Sequence, residues 1–337
     1  MNILAIRFAR LGDVALLLPA LGRIKAAFPD SRLTLLTGHR CAPLARMSPS
    51  LDEVLSVDRV AMKEGPPLAA VRPILGLLSD VRRQRFDVVV DFHGLRETGL
   101  LTWLSGAPRR LGLKRWDQSS LPFCYNLPQV IEDKGVHVSR MFAIVADHLS
   151  HEVGGRAVLP SGPSLVVPGE DRAWWTAERA ARGVEAYVVL YVDAPVRERI
   201  WPMERFARLG DSLIQECGAS VVVVSGPGRE DLIQEYFQLT RHPGRVAGFA
   251  DLPVSRVAAI IESAALMVSN DTGPMHLGPL VETPTLGLFS VGLPEHFRPI
   301  GPNDAFLKAN PISQLEVGEV LRQAESMWRI TRSGLRR

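Results

Sequence analysis

The stretch VSNDTGPMHL (268–277) places several reactive side-chain types directly after an apolar run. It holds a carboxylate at Asp271, a hydroxyl at Thr272, a flexible backbone at Gly273 and an imidazole at His276. Free amides at a helix start, together with the Thr272 hydroxyl, form a receptor for phosphate oxygens. Because an anion repels a carboxylate, we expect Asp271 to face hydroxyl groups. Phosphate and polyol recognition in one loop indicates a nucleotide-sugar site; the alternative is a plain capped turn.

Two further stretches offer groups for the same kind of ligand. The glycine turn SGPGRED (225–231) follows a predicted strand and places Glu230 where it can bond a ribose diol. The stretch RERIWP (197–202) follows another strand and supplies Arg197 and Arg199 as partners for a diphosphate. Glycine turns and arginines are common, so each of these stretches is a weak signal by itself.

The first half of the chain has similar polar interruptions. FARLGD ends in Gly12 and Asp13, and Asp13 is interpreted either as a helix cap or as a carboxylate general base. This glycine loop is not GxGxxG, which disfavours a nicotinamide enzyme. DFHGLR supplies Asp91, His93 and Arg96 as further candidates for lining a ligand cleft, although a lone histidine there is more often structural.

Alternating strands and helices must position these groups. In the first half, apolar runs predict strands at 2–8, 32–38, 54–58 and 86–92, and helical spacing predicts helices at 13–28, 67–84 and 95–106. After a segment rich in Gly, Pro and Ser at 150–172, the predicted strands are 186–193, 219–226, 265–271 and 284–290, and the helices are 203–217, 229–240, 253–263 and 313–330. The pattern predicts two doubly wound α/β domains with ligands at the carboxyl ends of parallel strands.

Composition excludes several classes of protein. The chain has 337 residues, of which 46% are hydrophobic and 22% charged, as in ordinary globular proteins. Cys41, Cys124 and Cys217 are scattered without a CxxC pair, so neither a disulfide framework nor a zinc site is predicted, and a reducing cytoplasm fits best. The amino-terminal apolar stretch is interrupted by charged residues and is interpreted as a strand and helix rather than a targeting segment.

The net charge is +3, and the basic residues gather in two runs, 82–85 and 109–115. Such runs are either solvated faces or contacts for an anionic partner. Nucleic acid is disfavoured because the excess charge is small and no aromatic residues alternate with the basic ones.

Four stretches together resemble glycosyltransferase family 9, the ADP-heptose:lipopolysaccharide heptosyltransferases. In chain order they are ILAIRFARLGDVALLLPAL, FDVVVDFHGLRETGLLTWLSGAPRRLGL, WPMERFARL and SNDTGPMHLGPLVETPTLGLF. The resemblance implies a GT-B fold, in which two Rossmann-like domains face a central cleft. It assigns residues 1–165 to acceptor binding and 166–337 to nucleotide-sugar binding, with the final helix a candidate to pack back on the first domain.

The resemblance also implies roles for single residues. Asp13 matches the catalytic base, and Gly12, His93 and Arg96 are assigned to acceptor binding. On the donor side, Thr272 and Gly273 match the diphosphate-binding turn, Asp271 matches the contact to the donor sugar, and Glu230 matches the contact to the ribose. His276 matches a position that either contacts the phosphate or the sugar or has a structural role. Arg199 stands where the family usually has a lysine, and SVGLPEHF stands where it tends to read GPTDP.

The resulting hypothesis is an inverting, metal-independent transfer of heptose from an ADP-sugar to the inner core of lipopolysaccharide, with no cofactor. Its partners are the nucleotide sugar and an anionic glycolipid acceptor, and nucleic acid is not among them. We expect a cytoplasmic protein in peripheral contact with the inner membrane face, where the basic runs help hold a phosphorylated acceptor. The alternatives are a nucleotide-sugar-binding protein without catalysis and an epimerase or hydrolase of nucleotide sugars.

Overall fold

A computed structural model describes residues 1–8, 10–58, 67–116 and 121–334. The chain divides into two compact units, Met1–Leu165 and Val166–Arg337. Each unit contains one parallel six-stranded sheet flanked by helices.

The first unit has the strand order β3-β2-β1-β4-β5-β6. Its strands are β1 (Asn2–Arg7), β2 (Arg32–Gly38), β3 (Glu53–Val57), β4 (Val88–Asp91), β5 (Arg109–Lys114) and β6 (Val130–Ile131). Its helices are α1 (Leu11–Ala27), α2 (Ala42–Ala45), α3 (Pro67–Arg83), α4 (Arg96–Leu104) and α5 (Val138–Val153), with 3-10 turns at His39–Cys41 and Pro122–Cys124. Ile6 of β1 pairs with Leu36 on one side and Asp91 on the other, so β1 and β4 are central.

The core of the first unit follows from its apolar runs. Strand β1 is buried from Ile3 to Arg7, as expected of a parallel strand covered on both faces. Helix α1 is apolar nearly all round and is buried over most of its length, and it packs extensively on α5. It runs without interruption through Pro19, where the sequence predicts a kink or an irregular turn.

The second unit has the strand order β12-β11-β10-β7-β8-β9. Its strands are β7 (Tyr187–Tyr191), β8 (Ser220–Val224), β9 (Val246–Phe249), β10 (Leu266–Asn270), β11 (Thr285–Phe289) and β12 (Ala305–Lys308). Its helices are α6 (Gly169–Ala181), α7 (Met203–Cys217), α8 (Glu230–Leu239), α9 (Val254–Glu262), α10 (Leu277–Leu280), α11 (Pro294–Phe297) and α12 (Val317–Gly334). The 3-10 turns are Arg197–Arg199, Pro243–Arg245, Gly273–His276 and Ile312–Gln314.

The final helix, α12, packs on α7 and on β10 of the same unit. Its buried face carries Val320, Ala324 and Met327, which join the core cluster around Trp201. The Trp201 indole also donates a hydrogen bond to the carbonyl of Leu315 at 3.0 Å, which ties the segment before α12 to the start of α7.

Several elements were not predicted from the sequence. The sequence predicts that the basic run 109–115 is a solvated face or a contact for an anionic partner, and it does not predict a strand there. Most of the run is strand β5, in which Leu111 and Leu113 are buried while Arg109 and Lys114 are exposed. Strands β6, β9 and β12 and helices α5 and α6 were also missed. All three of these strands are short and lie at the edge of a sheet, where the apolar signal is weaker.

Candidate active site

Both sheets place polar residues at the point where their strand order reverses. In the first unit the chain leaves β1 towards β2 and β3, and returns to β4 on the other side of β1. In the second unit β7 and β10 have the same relation. The carboxyl ends of such strand pairs form the usual ligand-binding crevice of doubly wound sheets.

Asp13 lies in the first turn of α1, beyond the end of β1. Its carboxylate accepts a hydrogen bond from Nη2 of Arg7 at 2.7 Å and another from the backbone N–H of Arg10 at 3.3 Å. The second contact is that of a capping box, because Asp13 is the third residue of α1 and accepts from the N-cap residue Arg10. The helix thus begins two residues before Asp13, which is not itself the N-cap that the cap interpretation predicts. The side chain of Asp13 nevertheless remains 26% exposed, whereas that of Arg7 is only 8% exposed.

Arg7 is held in place by groups from other elements. Its Nη1 donates to the carbonyl of Phe92 at 2.8 Å, and its guanidinium lies 5.0 Å from the centre of the Phe142 ring. Because the guanidinium is fixed by these contacts, it also fixes the position of the Asp13 carboxylate.

The turn after β4 carries the other first-unit candidates. Asp91 is fully buried, and its carboxylate accepts hydrogen bonds from the amides of His93 (2.8 Å) and Gly94 (3.1 Å) and from the Tyr125 hydroxyl (2.8 Å). Burial raises the pKa of Asp91, and these hydrogen bonds oppose the shift. The role of Asp91 is therefore to organise this turn rather than to line a cleft.

The predicted acceptor residues differ in accessibility. His93 is buried and packs edge-on against the Phe8 ring, with 6.3 Å between ring centres. Gly12 is buried in the first turn of α1, and Arg96 is exposed at the start of α4. The structure thus brings all of them to the carboxyl ends of β1 and β4, but of the three only Arg96 offers an exposed side chain.

In the second unit, Asn270 holds two loops together. Its side-chain oxygen accepts the backbone N–H of Trp201 at 3.0 Å, and its amide nitrogen donates to the carbonyl of Val192 at 2.9 Å. The end of β10 is thereby tied to the loop that follows β7, which contains Arg199. No role was predicted for Asn270 from the sequence, although a polar residue at the end of an apolar strand is a signal for one.

Arg199 and Asp271 form an ion pair at the ends of β7 and β10. Nη1 of Arg199 lies 3.1 Å from Oδ2 of Asp271, and the two side chains are 30% and 8% exposed. Burial raises the pKa of Asp271, and the adjacent guanidinium opposes that shift. Nε of Arg199 is buried and has no hydrogen-bond partner among the described residues. Within the described residues the guanidinium is paired only through Nη1, and the side chain is 30% exposed, so its other terminal nitrogen retains donors for an incoming anion.

In the turn after Asp271, the backbone amides of Thr272 and Gly273 donate no hydrogen bond within the described residues. Thr272 is the N-cap of the 3-10 turn Gly273–His276, and within the described part of the chain its hydroxyl makes no capping hydrogen bond. This differs from the plain capped turn that was the alternative interpretation. Amides at a helix start have no intrahelical acceptor, so those of Thr272 and Gly273 can bind phosphate oxygens. His276 is buried at the end of the turn.

The loop after β11 packs directly on Asp271. A Cβ added to Gly292 would lie 2.2 Å from Oδ2 of Asp271, so a larger residue there would displace the carboxylate. Glu230 is the first residue of α8 and is exposed. The preceding Arg229 donates to Asp193 at 2.9 Å and so ties the loop after β8 to the loop after β7.

Two further observations concern metal ions and membranes. No three His, Cys, Asp or Glu side chains cluster so as to hold a metal ion within the described ranges, and metal independence itself stays a prediction. Among the described helices, none is both long enough and apolar enough to cross a membrane.

The comparison with protein families decides the class of the protein. The model of glycosyltransferase family 9 (heptosyltransferase) matches residues 74–320. The chain belongs to this family. The predicted donor residues lie within the matched part of this family 9 glycosyltransferase, whereas Gly12 and Asp13 precede it.

Individual relatives agree with the family match. The family 9 chain is 23% identical to Lipopolysaccharide heptosyltransferase 3 of Escherichia coli over 297 residues, which cover 87% of this chain and 84% of the relative. A family 9 glycosyltransferase from Veillonella parvula has a similar structure, with a TM-score of 0.80, 21% identity, and coverage of 98% and 97% of the two chains. For E. coli heptosyltransferase WaaC with ADP-2-deoxy-2-fluoro heptose the TM-score is 0.77, with 19% identity and coverage of 97% and 99%.

These findings confirm three predictions for the family 9 enzyme. The family resemblance is confirmed, and the fold is GT-B with two Rossmann-like units. The protein is a glycosyltransferase of the heptosyltransferase type. This class favours sugar transfer over the two alternatives, a nucleotide-sugar-binding protein and an epimerase or hydrolase.

Proposed function

We propose that the chain transfers a heptose from ADP-heptose to the inner core of lipopolysaccharide, with inversion at the anomeric carbon and without a metal ion. Family membership supports heptose transfer in lipopolysaccharide synthesis generally, while the donor, the stereochemistry and the metal independence are the proposal. The supporting observation is that each unit has an Arg–Asp ion pair at the point where its strand order reverses. In the first unit the aspartate, Asp13, is the more exposed partner, and in the second unit the arginine, Arg199, is the more exposed one.

The second unit is the proposed donor site. Its pair leaves the Arg199 side chain 30% exposed, against Asp271, which directly precedes the amides of Thr272 and Gly273 in the chain. These donors suit the diphosphate of ADP, while the Asp271 carboxylate suits sugar hydroxyls. Glu230 bonds the ribose, and His276 contacts the phosphate or the sugar. The WaaC structure with an ADP-heptose analogue supports ADP-heptose as the donor.

The first unit is the proposed acceptor site and supplies the base. Its pair leaves the Asp13 carboxylate as the more accessible partner. Asp13 takes the proton from the acceptor hydroxyl as that oxygen bonds to the anomeric carbon from the face opposite the leaving group. The bond from the anomeric carbon to the ADP oxygen breaks, and ADP leaves with the bonding electrons. Arg199 and the amides stabilise the negative charge on ADP, so the residues supply what a metal ion supplies in other transferases.

The proposed acceptor is an anionic glycolipid at the cytoplasmic face of the inner membrane, with Gly12, His93 and Arg96 at its binding site. The two basic runs lie in different places on the first unit. Arg82 and Arg83 end α3, and residues 84–85 lead from it towards β4, so this run lies at the amino ends of the strands, whereas Asp13 lies at their carboxyl ends. The run 109–115 instead extends along β5 from its amino end to its carboxyl end. The run 82–85 is therefore proposed to contact the membrane, and not the reacting part of the acceptor.

Titration with ADP, GDP and UDP, followed by a transfer assay with ADP-heptose and an inner-core acceptor, tests the proposal. We expect ADP to bind most tightly, and proton NMR of the product to show the inverted anomer. Preference for another nucleotide would contradict the donor. Release of free heptose at the same rate with and without acceptor would indicate a hydrolase instead.

A further inference from the structure

Three large apolar side chains are exposed together on the first unit. Leu100 and Trp103 lie one turn apart on α4 and are 39% and 47% exposed, and Phe123 in the turn Pro122–Cys124 is 60% exposed. The rings of Trp103 and Phe123 meet edge to face, with 5.9 Å between their centres. We call these three residues the aromatic face. The opposite side of α4 is packed, since Thr98, Gly99 and Thr102 are buried there.

Two arginines are held beside the aromatic face by backbone carbonyl groups. Nε of Arg82 donates to the carbonyl of Leu104, the residue after Trp103, at 2.7 Å. Nε of Arg110 donates to the carbonyl of Cys124, the residue after Phe123, at 2.9 Å. The residue after Trp103 therefore binds the guanidinium of Arg82 through its carbonyl, and the residue after Phe123 binds that of Arg110.

Helix α4 leads from the aromatic face to the candidate acceptor site. Arg96, Leu100 and Trp103 follow one another at spacings of four and three residues, which places them along one side of the helix. Arg96 is the first residue of the helix and lies near the carboxyl end of β4, where the acceptor is proposed to bind. The acidic neighbours are fewer: Glu97 is on the same helix, and Asp80 is paired with Arg83.

We propose that the aromatic face docks on an anionic lipid bilayer. Tryptophan and phenylalanine partition into the boundary between headgroups and acyl chains, and flanking arginines are attracted to anionic headgroups. Neither a neutral protein partner nor a second copy explains the adjacent arginines as well, because arginines facing each other across a symmetric interface repel. The biological purpose of this docking rests on the proposed glycolipid acceptor, which the bilayer presents to the Arg96 end of α4.

Flotation of the full chain with vesicles tests this surface without donor or acceptor. We expect binding to vesicles of phosphatidylethanolamine and phosphatidylglycerol, weaker binding at high salt, and weak binding to phosphatidylcholine alone. The double variant Trp103→Ser/Phe123→Ser should lower the partition coefficient at least about tenfold, since both rings leave the lipid boundary. The matched control is Ile330→Ser, at a side chain 51% exposed on α12 of the second unit, which should bind as the wild type does.

A charge variant separates docking from a structural effect. Arg82→Gln should weaken vesicle binding about fivefold, and Arg82→Lys should restore most of it because the charge is kept. A merely structural role for the bond to Leu104 would make both variants alike, which would contradict the proposal. Unchanged ADP affinity and circular dichroism in all variants check the fold.

Three results would overturn the proposal. They are no binding to anionic vesicles, equal binding by the double variant, and a salt-independent self-association that the double variant abolishes. The outcome is separable from that of the proposed function, since transfer to a soluble, delipidated acceptor is measured without vesicles. Vesicle binding without any transfer would support docking by the aromatic face and contradict the proposed activity. Transfer without vesicle binding would support the activity and contradict the docking.

Discussion

The two units use the same ion pair in opposite ways. In the first unit the arginine is covered, by the Phe92 carbonyl and the Phe142 ring, and the aspartate is the more exposed partner. In the second unit the aspartate is covered, with Gly292 packed against it, and the arginine is the more exposed partner. An exposed carboxylate can accept a proton, and an exposed guanidinium can bind phosphate. The packing around a pair, rather than the pair itself, therefore decides which charge faces a ligand.

The strongest test of the first pair is Asp13→Asn. Its amide oxygen can still accept from Arg7, so the fold and ADP binding should persist while kcat falls about 100-fold or more, as expected for loss of a general base. Steady-state kinetics and ADP titration measure the two effects. The matched control is Asp147→Asn, which alters a surface carboxylate paired with Arg23 in the same unit and should leave kcat unchanged. Near-normal turnover in Asp13→Asn would restrict Asp13 to capping α1.

The corresponding test of the second pair is Arg199→Ala. Loss of a charge-assisted hydrogen bond of about 1.5–3 kcal/mol should raise the dissociation constant for ADP roughly ten- to a hundredfold. Arg199→Lys should recover part of this loss, because a lysine retains the charge but cannot bridge two oxygens. Arg197→Ala, in the same exposed turn, is the control, and calorimetric titration compares all four proteins. A larger loss in Arg197→Ala than in Arg199→Ala would mean that the phosphate site has been misassigned.

The stability of Arg199→Ala should depend on pH. Burial raises the pKa of Asp271 and Arg199 opposes this, so the variant should have a still higher folded-state pKa. A group with a raised folded pKa contributes stability that is present below its unfolded pKa and lost as pH rises through the folded pKa. The deficit relative to wild type should thus be smallest near pH 4 and widest at pH 7. Since Arg199 is partly exposed, we expect a deficit there of about 1–2 kcal/mol, below that of a fully buried pair.

Urea denaturation at several pH values measures this deficit. Arg32→Ala breaks an exposed pair with Glu53 and serves as the control, with a change under about 1 kcal/mol at any pH. A deficit in Arg199→Ala that is constant with pH would show that the guanidinium does not influence the ionisation of Asp271.

The smallest expected effect is that of chelation. If Arg199 and the turn amides carry the charge of the leaving diphosphate, exhaustive treatment with EDTA should leave kcat within error of the untreated enzyme. A transfer assay before and after chelation measures this. Loss of activity that magnesium or manganese restores would contradict the metal-free mechanism and reduce the role of the exposed arginine.

Much of the architecture could be predicted from the sequence. Continuous apolar runs identified β1 and β10, and the polar residues after them identified Asp13 and the segment Asp271–Gly273 as candidates, although their roles stay predictions. The family resemblance supplied the GT-B fold. Strand β5 was missed because Arg109, Arg110 and Lys114 resemble a charged surface run, and only pairing with β4 shows that Leu111 and Leu113 are buried.

The sequence by itself determined the order of the elements and which residue types stand at their ends, because these depend on local spacing and apolar periodicity. The tertiary structure alone decided that Asp91 is enclosed by Tyr125, that Asn270 joins two loops, and that Arg7 and Asp271 are the buried members of their pairs. Those outcomes depend on groups that are far apart in the chain and that packing brings into contact. The residues next to a charged side chain in the sequence therefore do not determine whether it will be buried.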